Sequence, residues 1–64
     1  MKKYLTTTEI YLTFLTHNDS YMEKVPVGTI LEVVNGDLKF NGKVSIDNPV
    51  GYLYHGFIKE YEQP

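Results

Sequence analysis

Not one cysteine occurs in the 64 residues of this chain, and that absence limits its folding options more than any other feature. A domain of this length buries only about 60% of the surface that its unfolded chain exposes, so its core is thin. Small secreted domains compensate with disulfides, and small metal-bound domains with a Cys/His zinc site. This sequence offers neither, and its two histidines, His17 and His55, lie far apart. The chain must hold itself together by side-chain packing and backbone pairing, or gain stability from a partner. Met1, Lys2 and Lys3 imitate the start of a signal peptide, but Thr6, Thr7, Thr8 and Glu9 interrupt the apolar stretch it would need. No run approaches the roughly 20 apolar residues of a membrane span. These features predict a single soluble domain over residues 1–64, cytoplasmic in location.

The residue types favour strands. Alanine, the best helix former, is absent. Valine, isoleucine and threonine supply sixteen residues, and tyrosine and phenylalanine nine more. Ile10 to Thr16 alternates, with Ile10, Leu12 and Phe14 on one face and Tyr11, Thr13 and Leu15 on the other. Thr6 with Glu9 also matches a capping box, so a helix over about 7–16 stands as the alternative. The polar run His17-Asn18-Asp19-Ser20 reads as a turn, and Tyr21 to Val25 as a short return ended by Pro26. Val27 to Val34 is the clearest strand, closed by the hairpin signal Asn35-Gly36-Asp37. From Leu38 to Ile46, the apolar Leu38, Phe40, Val44 and Ile46 alternate with the polar Lys39, Asn41, Lys43 and Ser45. This spacing predicts one long bent strand with a bulge at Asn41-Gly42, a second hairpin turn being the alternative. Asp47-Asn48-Pro49 then turns the chain. A strand from Val50 to Tyr54, a helical turn at His55-Gly56 and a last strand from Phe57 to Tyr61 complete it.

Five short strands in so short a chain predict an all-β fold, a small five-stranded barrel, since closing a sheet removes its edges. An N-terminal helix packed on a small antiparallel sheet, an α+β fold, is the alternative. Two segments carry a resemblance. Val27-Gly28-Thr29-Ile30-Leu31-Glu32-Val33-Val34 is similar to the part of SH3 domains where a glycine precedes a hydrophobic strand after the long first loop. Gly51-Tyr52-Leu53-Tyr54-His55-Gly56-Phe57-Ile58 resembles, in spacing, the ending in which a one-turn helix leads into the last strand. The resemblance to SH3-like barrels covers residues 10–62 and leaves 1–9 as an N-terminal extension. It implies a binding module. The chain departs from peptide-binding SH3 domains in having no tryptophan, and Tyr54 stands where their groove proline falls.

No arrangement of residues points to catalysis. His17, Asp19 and Ser20 are too close together in sequence to converge as nucleophile, base and orienting group. The five glycines make no phosphate-binding pattern. The expectation is therefore a non-enzymatic protein, with no catalytic residue, metal or cofactor. Six lysines face eight carboxylates and there is no arginine, a balance that disfavours nucleic acid as the partner. Lys39 and Lys43 on the wet face of one strand, beside exposed aromatics, carry that alternative. The tyrosines are the positive signal. Tyr52 and Tyr54, two apart on an expected strand, share a face, and with Tyr11 and Phe57 they make a candidate protein-binding surface. Packing at the barrel rim is the plainer reading of the same rings. The function expected is a small protein-binding module, a bacterial or phage accessory protein that occupies a partner's surface. A nucleic-acid-binding barrel and a self-assembling structural subunit are the alternatives.

Overall fold

The computed structural model describes residues 2–62. Seven strands and one short helix run in the order β1 (Lys3–Thr6), β2 (Ile10–Leu15), β3 (Ser20–Val25), β4 (Ile30–Val34), β5 (Asp37–Phe40), β6 (Lys43–Val44), α1 (Pro49–Tyr54) and β7 (Ile58–Tyr61). Five of the strands form one antiparallel sheet in the order β6-β5-β4-β1-β7, and β2 pairs with β3 as a separate hairpin. The fold is therefore mostly β, with two antiparallel sheets. No helix among the described residues is long and apolar enough to cross a membrane.

The strand at Ile10 to Leu15 has the faces its alternation predicts. Ile10, Leu12 and Phe14 are buried, while Tyr11 and Leu15 are exposed. The buried three pack against Tyr4, Leu31, Leu38 and Ile58 from the larger sheet. The helix over 7–16 does not form. Thr6 caps nothing: its hydroxyl is buried in the sheet, donates to the Pro26 carbonyl at 2.8 Å and accepts the Thr29 N–H at 2.8 Å. Nor do residues 1–9 behave as an extension where they are described. β1 lies between β4 and β7, with Tyr4 opposite both Leu31 and Glu60. Tyr4 and Thr6 point into the core, and Lys3 and Leu5 point away from it.

The segment after β5 overturns the bulge reading. Asn35 and Gly36 have φ of 51° and 86°, and Asn41 and Gly42 repeat the pattern at 55° and 79°. Two successive residues in the left-handed region make the tight turn that suits a two-residue hairpin. Lys39 therefore faces Val44, and Phe40 faces Lys43. Opposed residues share a face, so the turn reverses the parity that a bulge would have kept. Val44 and Ile46, expected inside, are exposed. Lys43 and Ser45 turn inward instead. Ser45, expected on a wet face, is buried, with its hydroxyl donating to the Leu38 carbonyl at 2.8 Å.

Residues 45–47 join the two sheets. On one side the Ser45 N–H donates to Leu38 at 2.8 Å and the Leu38 N–H to Asp47 at 2.9 Å. On the other, the Ile46 N–H donates to the Thr13 carbonyl at 3.0 Å, and the Asp47 carboxylate accepts the Thr13 N–H at 2.7 Å. The barrel expected from the strand count does not close. With β6 only two residues long, the sheet ends before it can pair with the hairpin, and β3, β6 and β7 remain edges. Lys43 bridges the gap by side chain. Its ammonium lies 2.9 Å from Glu23 Oε2, 3.1 Å from the Tyr21 hydroxyl and 4.9 Å from the Phe14 ring centroid.

Val50 to Tyr54, expected as a strand, is the helix. Asn48 caps it, with Oδ1 accepting the Val50 N–H at 2.7 Å, and Pro49 sits in the first turn, where a missing N–H costs nothing.

Candidate functional site

The change from strand to helix separates the two tyrosines on which the expected surface rested. Residues two apart on a helix point about 200° away from each other. Tyr52 turns inward and packs against the core, its hydroxyl donating to the Tyr11 carbonyl at 2.9 Å. Tyr54 turns outward and is 85% exposed. The shared face of Tyr52 and Tyr54 is thus corrected: the first ring ties α1 to β2, and only the second is open to a partner.

The exposed ring belongs to a short aromatic row. Tyr54 meets His55 edge-on at 5.2 Å between centroids, and His55 stacks on Phe57 at 5.4 Å. Backbone geometry holds the row in place. The N–H of Phe57 donates to the Tyr52 carbonyl at 2.9 Å and that of Gly56 to Leu53 at 3.1 Å, the paired bonds that end a helix. Gly56 supplies the φ of 74° that this ending requires. The Phe57 carbonyl in turn accepts the Thr7 N–H at 2.8 Å, and the Thr7 hydroxyl donates to the Gly56 carbonyl. Rings fixed to such a frame lose little further freedom on binding, which favours affinity. Phe57 is 41% exposed. The sequence marks His55, which sits between the two expected rings, only as one of two distant histidines. Its role as a spacer depends on the helix ending that places it.

Tyr11 stands elsewhere, on the outer face of the β2–β3 hairpin, half exposed and opposite Lys24. On that face Thr13 lies opposite Met22, with Leu15 further along and Ile46 bonded alongside. Met22, Leu15 and Ile46 are all exposed. The alternation of β2 made Leu15 legible as an outward residue. Met22 and Ile46 needed the register of the hairpin and the reversal at Asn41-Gly42.

The lysines of the nucleic-acid alternative do not share a face. Lys39 points outward beside Glu32, and Lys43 points inward to Glu23 and the rings of Phe14 and Tyr21. Hydrogen bonds that the Lys43 ammonium donates to Glu23 and then to Tyr21 hold it above the usual lysine range. Of the polar run His17-Asn18-Asp19-Ser20, the first three residues connect β2 to β3, and Ser20 opens β3. Thr16 and Asp19 bond each other through the backbone and the Thr16 hydroxyl, and the Asp19 carboxylate accepts the Ser20 N–H. Among the described residues no three of His, Asp and Glu stand close enough together to hold a metal ion.

Burial, and then the nearby Asp47 charge, raises the Tyr52 phenol above the ordinary tyrosine range. The fold therefore keeps a proton that the unfolded chain releases. The stability this contributes is whole below the ordinary tyrosine value and is lost as pH rises through the folded one. We expect the urea midpoint to fall above about pH 10. Tyr52→Phe should cost about 1 kcal/mol at neutral pH, for the lost bond to Tyr11, and should flatten part of the alkaline decline. An unchanged alkaline profile in that variant would remove Tyr52 as its cause. Lys43, also held above its ordinary range, acts in the same direction.

Compared with protein-family models, curated proteins and solved structures, the chain has no match.

Proposed function

We propose that this chain is a small non-enzymatic protein-binding module, SH3-like in build, that meets a partner polypeptide at the row formed by Tyr54, His55 and Phe57. The observation that carries the reading is Tyr54, 85% exposed while its ring meets His55 edge-on at the end of a hydrogen-bonded helix. Tyrosine offers a broad, stiff contact surface with a polar tip, and such rings dominate the energetics of many interfaces. The SH3-like part is supported by the short helix leading into β7 and by the long β2–β3 hairpin between β1 and β4. A bacterial or phage accessory protein that occupies a partner's surface fits this build. The fitting partner presents apolar side chains to stacked rings. A nucleic-acid partner loses its supporting observation, because Lys39 and Lys43 face opposite ways.

Immobilised protein and its Tyr54→Ala/Phe57→Ala variant, used side by side on a lysate of the native host, test the reading. The wild type should retain a defined polypeptide for which the variant is about tenfold weaker or worse, with the amide NMR spectrum of the variant still folded. Equal retention by a folded variant, or retention only of nucleic acid in a salt-sensitive manner, would overturn it.

A further inference from the structure

The edge at β3 is built differently from the other two. Thr13 sends its N–H and carbonyl to Asp47 and Ile46, away from β3. Met22 stands directly opposite Thr13, and opposed residues in an antiparallel pair both turn their backbone groups outward or both inward. The N–H and carbonyl of Met22 therefore point off the free edge, as do those of Lys24 and the carbonyl of Ser20. The Ser20 N–H is taken by the Asp19 carboxylate at 2.7 Å. Beside this row of unpaired groups the outer face carries Met22 and Leu15, each 65% exposed. Proteins usually guard such an edge with charge, proline or short length.

We propose that β3 pairs antiparallel with β3 of a second copy of this chain, about a two-fold axis passing at Met22. Among the registers that cover most of a strand, charge selects both the edge and the register. A two-fold perpendicular to the sheet preserves its faces, so it must centre on a residue and not between residues. Centred on Met22, it sets Met22 against Met22, Tyr21 against Glu23 and Ser20 against Lys24, with no like charges opposed. Centring on Tyr21 opposes Asp19 and Glu23. Centring on Glu23 or Lys24 opposes each to its own copy. Like charges directly opposite destabilise a strand pair, so these registers are disfavoured. The same test rejects β7, where the registers covering most of the strand oppose Lys59 to Lys59 or Glu60 to Glu60. β6 is too short to compete. In the Met22 register, Met22 exchanges two backbone bonds with its copy, and each Lys24 N–H meets a Ser20 carbonyl without disturbing Asp19. The apolar outer faces then merge into one surface around the two Met22 side chains.

Sedimentation equilibrium on the wild type, Met22→Lys and Met22→Glu tests the pairing, with amide exchange read in parallel. The wild-type mass should double as concentration rises, and the Met22 and Lys24 amides should exchange more slowly in the dimer. Each single variant should associate about tenfold more weakly or worse, through lost apolar burial and like charge. Mixing the two variants should restore a heterodimer. A wild type that stays monomeric at every concentration would overturn the proposal. So would Met22→Lys associating like the wild type, or association without added protection at Met22 and Lys24. The inference is independent of the aromatic row: Tyr54→Ala/Phe57→Ala should still dimerise.

Discussion

Leu12→Ala should leave most of the chain unfolded at room temperature. Leu12 is fully buried in the middle of β2, where the hairpin packs onto the larger sheet beside Leu31 and Leu38. Truncating a core leucine costs about 2–5 kcal/mol through lost transfer energy and the cavity left behind. A core of this size rarely supplies more than about 3–5 kcal/mol in total, and no disulfide stands in reserve. The whole margin is therefore of the same order as one leucine. Dispersed amide resonances should collapse, and the cooperative urea transition should vanish. A cooperative transition at nearly the wild-type midpoint would mean that the hairpin is not part of the cooperative core. Leu15→Ala, on the exposed face of the same strand, is the matched control and should cost well under 1 kcal/mol.

Asp47→Ala should produce the second-largest loss, for a different reason. The Asp47 carboxylate takes the place of a strand partner for Thr13, and its own backbone carbonyl binds Leu38. Removing the carboxylate leaves the Thr13 N–H without its acceptor where the two sheets meet. Hydrogen bonds to a charged group contribute about 1.5–3 kcal/mol, so Asp47→Ala should fall in that range by urea unfolding. Asp47→Asn keeps an oxygen in place and should recover more than half of the loss. If Ala and Asn behave alike, the carboxylate is not what docks the hairpin. The local readout is amide exchange at Thr13, which should accelerate in Asp47→Ala more than exchange in β1.

Both expectations depend on a contact between distant parts of the chain, and that is where sequence reading and structure part company. Local chemistry was legible. Ile10 to Leu15 alternates as a half-buried strand does, and its faces are as expected. Asn35-Gly36 announces its own turn, because both residues accept positive φ at little cost. The aromatic rings at Tyr54 and Phe57 could be singled out as residue types suited to an interface, and both are exposed.

The orientation of the chain beyond each turn was not legible. From Leu38 to Ile46, a bulge and a hairpin fit the same apolar spacing, and they bury opposite halves of it. Only the pairing of Phe40 with Lys43 decides the matter, placing Ser45 inside and Ile46 outside. Val50 to Tyr54 carries strand-forming residues, but Asn48 and Pro49 begin a helix that β7 and the Tyr11 carbonyl can hold. That helix divides Tyr52 from Tyr54. Residues 3–6, too short to announce themselves, became a strand with a neighbour on each side once β4 and β7 were in place.

The sequence by itself therefore determined the mostly-β character, the Asn35-Gly36 turn and the faces of β2. Each of these rests on backbone preference or alternation within a few residues. Tertiary structure alone decided which side of 43–46 is buried, where β1 lies and which tyrosine stays open. Periodicity states that two faces differ, and only the partner packed against one of them says which face is inside.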